Sequence, residues 1–324
     1  MSTRATRASV ALSLASVLLL AACSSGGDTA AGGADDTAET PTTITVEDMT
    51  GEVEIPAEPQ AALGMYTTDV DILITLGYPL AGSQPVRDEG YSAYPSFFPQ
   101  EELADVETFT NYPEFNYEAI LAAQPDFILN GLGYDADVVA KLPEIAPTFS
   151  FDGFDGRDWR DIFRETATAL GREEQAQAWF DAYDARLAEV KAELDARDLH
   201  PVVGPVDYWD GQVSASCYGV PCLVFRDLGL EITPLATAEG TSLSPEQLSQ
   251  LSDIDVFFSS ATPAEDGSYP DVFEPVAGNP LWQALPAVQG GQIHVGDLEM
   301  LYGSPSGHMA YLEFVADSLL GDDA

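Results

Sequence analysis

Positive charge is scarce in this chain. Its 324 residues carry 12 lysines and arginines against 54 aspartates and glutamates, a formal net charge of −42. A surface of that sign repels nucleic acid and anionic membrane, so neither is an expected partner; it suits solubility and docking onto a basic surface, but charge alone identifies no partner. Histidine is equally sparse. His200, His294 and His308 lie far apart in sequence and make a poor cage for zinc or manganese. The Gly-x-Ser-x-Gly pattern of a nucleophile elbow is absent. Ser304-Pro305-Ser306-Gly307-His308 brings serine near histidine without a visible acid partner, and Ser306 reads better as a helix N-cap. An enzyme is therefore not expected. After residue 20 no stretch is long and apolar enough to span a membrane.

Only three cysteines occur. The first follows a targeting pattern: Arg4 and Arg7, an apolar run over 10–20, then Leu20-Ala21-Ala22-Cys23. This looks like a bacterial lipobox, in which residues 1–22 are removed and Cys23 is lipidated. Residues 24–41 are rich in Ser, Gly, Ala, Thr and Asp and contain no aromatic side chain. They cannot bury a core and predict a flexible tether over 23–42. The other two sit in Cys217-Tyr218-Gly219-Val220-Pro221-Cys222. Outside the cell so close a pair favours a disulfide. Metal ligation is the rival, with no histidine beside the pair.

The remaining length suits two lobes. Residues 43–55 alternate around Met49-Thr50-Gly51 and predict a hairpin. Strands are expected over 61–64, 80–83, 126–130, 202–208, 255–259 and 292–295. Helices are expected over 69–76, 117–123, 136–142, 245–251 and 307–320. Such alternation predicts an α/β fold with mainly parallel sheets. Between the two sets, Ala176, Trp179, Phe180, Tyr183, Leu187, Val190 and Leu194 recur at helical spacing with no Gly or Pro between them. This predicts one helix over 172–198, roughly 39 Å long at 1.5 Å per residue, as a spine between a lobe at 43–171 and a lobe at 199–324. A weak repeat supports matched lobes. Asn116-Tyr117-Glu118 and Ser244-Pro245-Glu246 each open a short helix that leads through an aspartate into a strand.

These features, with Pro59-Gln60-Ala61-Ala62-Leu63-Gly64, Thr68-Asp69, Gln124-Pro125-Asp126 and Asn279-Pro280-Leu281-Trp282, carry a resemblance. The chain resembles the periplasmic-binding-protein family that serves iron–siderophore, haem and vitamin B12 importers, over essentially all of 43–320. The resemblance implies two Rossmann-like α/β lobes joined by one long helix, with ligand in the cleft between them. It also implies that Glu118 and Glu246 dock onto arginines of ABC permease subunits in the membrane. The expected ligand is a small-molecule iron chelate, a ferric siderophore, with no cofactor and a monomeric chain. Haem, through His308, Met300 or Tyr302, and cobalamin are the alternatives.

Open α/β sheets bind ligands on the loops after their strands. Among the few cations, Arg87 and Arg226 fall in such loops, and an arginine offers a planar fork to an oxygen-rich complex. Aromatic contact is expected from Tyr66, Tyr91, Tyr112, Tyr134, Trp209 and Tyr302, with Tyr66, Trp209 and Tyr302 favoured. The lipobox generates the first test. Cys23→Ala is expected to release the protein into the medium or leave an unprocessed precursor. A mature-sized product that still partitions with membranes would contradict the anchor.

Overall fold

The computed structural model describes residues 42–87, 91, 93–111 and 113–321. Strands β1 (Thr43–Asp48) and β2 (Gly51–Pro56) pair antiparallel across Met49-Thr50, forming the expected hairpin. The Asp48 carboxylate closes the turn by accepting the Thr50 N–H at 2.7 Å. Gly51 follows with a φ of 117°, a conformation that side chains disfavour.

Five strands then build the first lobe: β3 (Ala62–Gly64), β4 (Ser83–Val86), β5 (Glu107–Thr110), β6 (Phe127–Asn130) and β7 (Thr148–Ser150). Strands β3, β6 and β7 lie parallel in that order, and β4 pairs parallel with β5. Every residue of β3, β6 and β7 is buried, as in parallel sheets covered on both faces. The strand expected at 80–83 starts later than the sequence suggests. Only Leu80 bridges Ala62. The buried Gln84 side chain then takes over the ladder, accepting the Gly64 N–H at 3.0 Å and donating to the Ala62 carbonyl at 2.7 Å.

The long helix, Glu173–Ala196, has 24 residues and extends about 36 Å at 1.5 Å per residue. Ala176, Phe180, Tyr183, Val190 and Leu194 form its buried stripe. It packs on the helix Trp159–Ala169, which periodicity did not single out, through Phe163 against Phe180 at 5.9 Å. Toward the second lobe, Trp179 donates its indole N–H to the Pro305 carbonyl at 3.1 Å, and the Tyr183 hydroxyl donates to Asp227 at 2.8 Å. One core, containing Phe163, Phe180, Phe225, Phe258 and Val315, therefore continues beneath both lobes.

The second lobe contains β8 (Val202–Trp209), β9 (Gln212–Ala215), β10 (Glu231–Ile232), β11 (Thr241–Leu243), β12 (Val256–Ala261) and β13 (Ile293–Asp297). Its sheet runs β11-β9-β8-β12-β13, with β10 also on β8. Strands β8, β12 and β13 are parallel, and β9 folds back antiparallel through Asp210-Gly211. The C-terminal helix Pro305–Leu320 packs on this sheet and on the long helix. Its N-cap is Ser304, which accepts the Gly307 N–H at 3.2 Å, and not Ser306. Pro305 needs no N–H partner in a first turn, so the helix starts two residues earlier than expected. The helix expected at 245–251 is a turn followed by one 3₁₀ segment, Leu248–Leu251. Gln247 closes the turn: its backbone N–H bonds the Ser244 carbonyl at 2.9 Å and its side chain accepts the Ser244 N–H at 3.1 Å. Ser244 thus caps no α-helix.

Phe180 joins the long helix to the shared core, so Phe180→Ala is expected to cost about 3–5 kcal/mol in urea unfolding. Gln177→Ala, on the exposed face, should stay within about 0.5 kcal/mol of the wild type.

Candidate functional site

The carboxyl ends of the parallel strands point at the junction between the lobes. From the first lobe, β4 delivers Arg87, and β3 leads through Met65 to Tyr66 and the helix Thr67–Thr75. From the second, β13 ends at Asp297 and turns through the 3₁₀ segment Leu298–Leu301 to Tyr302. Arg87 crosses to the second lobe. Its Nη2 meets Glu299 Oε1 at 2.7 Å while its Nε bonds the other carboxylate oxygen. The same guanidinium donates to Thr67 Oγ1 at 3.1 Å and to the Tyr66 hydroxyl. Thr67 donates to Glu299 Oε1 at 2.6 Å. The Arg87 Cζ lies 3.6 Å from the Tyr302 ring centre and 4.3 Å from that of Tyr66. Side-chain exposure is 0% for Arg87 and 1% for Glu299. Burial opposes the charge of Arg87, but hydrogen bonding and attraction to Glu299 outweigh it and raise its pKa above the ordinary value.

Two more residue pairs bond across the same seam. The Tyr91 hydroxyl donates to Asp297, which also accepts the Glu299 N–H at 2.9 Å. Asp71 accepts from Ser306 N–H at 2.6 Å and Oγ at 2.7 Å.

Beside the seam lies a cleft of about 750 Å³ whose wall includes Tyr66, Phe151, Phe154, Trp159, Tyr218 and Tyr302. Two glycines shape it. A Cβ on Gly303 would sit 2.2 Å from the Trp159 side chain, so only glycine leaves room for that indole. Trp159 is then fixed by donating to His308 Nδ1 at 3.0 Å. Gly219 has a φ of 64°, and a Cβ there would sit 2.1 Å from the Leu301 carbonyl oxygen. The loop closed by the Cys217–Cys222 disulfide is thereby pressed onto the segment that carries Glu299.

The cleft wall holds two arginines. Arg157 is held by Asp155 at 2.6 Å and Glu165 at 2.8 Å. Arg226 is exposed and forms no ion pair among the described residues. Its neighbour Asp227 instead pairs with Arg160 at 2.6 Å. Arg226 stands on the helix Val220–Leu228, not in a loop. Gly219 and Pro221 look like loop residues, yet a proline in the first turn is compatible with a helix.

The expected contacts separate into three groups. Tyr66, Arg226 and Tyr302 line the cleft. Arg87 and Tyr91 lie behind its wall, because Glu299 and Asp297 take their donors. Tyr134 and Trp209 are outside the wall. Tyr134 is 54% exposed and meets Phe154 edge-on at 5.5 Å, and Trp209 is 80% exposed beside the Asp210-Gly211 turn. Tyr112 and Cys23 lie outside the described residues. Phe151, Phe154 and Trp159 were not expected in the wall. No spacing marks them, since they reach the cleft from β7's exit and from a helix start. Glu118 is exposed in the first turn of the helix Tyr117–Ala122, capped by Asn116 accepting the Ala119 N–H at 3.0 Å. Glu246 is exposed on its turn.

His308 offers no axial bond to haem. It is fully buried, its Nδ1 accepts from Trp159, and burial pushes its pKa down to about 3. No cluster of three or more His, Cys, Asp or Glu suited to a metal ion occurs among the described residues.

The family model described as periplasmic binding protein matches residues 65–299. The chain is 24% identical over 286 residues to the iron(3+)-hydroxamate-binding protein FhuD of Bacillus subtilis strain 168, covering 86% of each. It is 27% identical over 189 residues to the Fe(3+)-citrate-binding protein YfmC of the same organism, covering 57% of each. Staphylococcus aureus SirA, solved with staphyloferrin B, shares the fold at a TM-score of 0.66 and 19% identity, covering 87% of this chain and all of that one. These relatives are binding proteins and not enzymes.

Two buried carboxylates generate a pH test. Burial raises the pKa of Asp69 to about 7, against N–H groups of Gly131, Tyr66 and Met65 that lower it. Burial likewise raises Asp71 to about 6, against bonds from Ser306. Between the ordinary value near 4 and these values, the folded chain keeps protons that the unfolded chain has lost, so each group's contribution falls as pH rises. Neutral His308 acts in the opposite direction below about 6.5, so the decisive quantity is a difference. The melting temperature of Asp69→Asn minus that of the wild type should climb from about pH 4 to 7 and then level off. Calorimetry across that range measures it, and a pH-independent difference would contradict the buried, protonated carboxyl.

Proposed function

Because the chain belongs to the periplasmic binding protein family, we propose that it is the extracytoplasmic, lipid-anchored substrate-binding component of an ABC importer, capturing an iron–siderophore complex. The observation that carries this is the cleft between the lobes, about 750 Å³, walled by aromatic rings with Arg226 open in it. That volume lies within the range of small-molecule sites, roughly 300–1,000 Å³. Rings of Tyr66, Phe154, Trp159, Tyr218 and Tyr302 suit a bulky chelate with an apolar periphery, and Arg226 suits its outward oxygen atoms. The names of two relatives, a hydroxamate binder and a citrate binder, support iron chelates as the ligand class. The anchor rests on the sequence around Cys23.

Permease docking is assigned to Glu118 and Glu246, one on each lobe and both exposed. Opposite charges across such an interface set orientation and encounter rate. Neither residue lines the cleft.

Titration of the purified protein with ferric hydroxamates, ferric citrate, ferric catecholates, haem and cobalamin, followed by tryptophan fluorescence, tests the ligand class. Saturable quenching by at least one ferric chelate, and not by haem or cobalamin, is expected. Glu118→Ala combined with Glu246→Ala should keep that affinity within about twofold while uptake in cells falls at least tenfold, as for lost charge pairs of about 1.4 kcal/mol or more. Loss of ligand binding by the purified double variant would overturn the division between docking and capture.

A further inference from the structure

The seam and the cleft together bear on the ligand's charge, given that the ligand is a ferric chelate as proposed above. Arg87 stands directly behind the Tyr66 and Tyr302 rings, which face the cleft. Left alone, its guanidinium would be a second positive focus there. Glu299 removes it by taking both the Nε and Nη2 donors with its two oxygens. The accounting of the cleft wall is then short. Arg157 faces two carboxylates, Asp155 and Glu165; Asp158 and Asp227 share Arg160; Asp69, also in the wall, is a buried carboxyl that accepts the Tyr66 and Gly131 N–H groups; and Arg226 is the wall's one cation without an ion pair among the described residues. This single charge stands in a chain whose net charge is −42, a field that opposes the approach of anions.

We propose that Glu299 sets the charge class of the ligand: by neutralising Arg87 it leaves a cleft that accepts neutral or cationic ferric chelates and discriminates against polyanionic ones. Ferric ion with three hydroxamates sums to zero, and a pendant amine makes that complex cationic. Ferric ion with three catecholates carries three negative charges. Shape and aromatic surface are compatible with either, so fixed charge decides between them. The buried pair has a structural part as well, since it bonds one lobe to the other. Its role in selectivity is separable, because charge can be changed while the hydrogen-bonding shape is kept.

The experiment measures affinity of the purified protein for three probes: a neutral ferric trihydroxamate, one bearing a free amine, and ferric tricatecholate. The wild type should bind the first two at least about tenfold tighter than the third, because carboxylates outnumber cations around the wall and the chain as a whole is strongly negative. Glu299→Gln restores the charge of Arg87. It should tighten tricatecholate binding about tenfold and leave the neutral complex within about twofold. Arg87→Gln with Glu299→Gln removes both charges, leaves the charge balance of the wall as in the wild type, and should reproduce the wild-type ranking. A wild type that prefers the trianion, a folded Glu299→Gln with unchanged ranking, or a double variant with altered ranking would each overturn the proposal. The first and third readouts stand even where Glu299→Gln fails to fold. Absence of binding to every ferric probe would instead remove the ferric ligand, and with it this inference.

Discussion

Arg87 and Glu299 form an ion pair out of contact with water, and they come from opposite lobes. Removing two charges from water costs several kcal/mol each, and attraction offsets that only when geometry and supporting hydrogen bonds are good. Here Thr67, Tyr66 and the π faces of Tyr66 and Tyr302 supply that support. Loss of one partner leaves a buried charge with nothing to balance it, so the relation of the lobes is tied to the pair. The cleft wall inherits its order from the same contact. Tyr66 and Tyr302 are cleft residues on one side and packing for a guanidinium on the other.

The long helix and the seam act in the same direction. A helix without Gly or Pro has no place where its backbone bends cheaply. The seam adds Asp71 to Ser306, next to the Pro305 carbonyl that Trp179 of the helix bonds, and Tyr91 to Asp297. Trp159 is fixed between them by Gly303 and His308. Aromatic contact at low conformational cost requires rings that are already in place, and these are.

The α/β alternation, the opening hairpin and the long helix were legible in the sequence, because each depends on local periodicity or turn chemistry. The failures were local as well. Gln84 supplies a ladder bond from a side chain, so β4 is displaced from the apolar run at 80–83. Ser244-Pro245-Glu246 has the composition of a helix start, yet Gln247 folds back on Ser244 and makes a turn. At the site, scarcity of cations directed attention to Arg87 and Arg226. It could not tell that one would be neutralised, because Glu299 is 212 residues away from Arg87. Trp159 had no signal at all: its place depends on a missing side chain at Gly303 and a partner at His308, all remote in sequence. Trp209, by contrast, had the right residue type in the wrong place, on a hairpin that points to solvent.

The cross-linked junction has a thermodynamic consequence. Where the lobes are already joined, a ligand entering the cleft removes from water its own surface and that of the wall, and little else. The heat-capacity change of association then scales with the apolar area of the ligand and the rings it covers, without a contribution from lobes burying each other. Across a series of ligands with the same centre and different peripheries, the slope of binding enthalpy with temperature becomes a direct measure of how much of each periphery the aromatic wall touches.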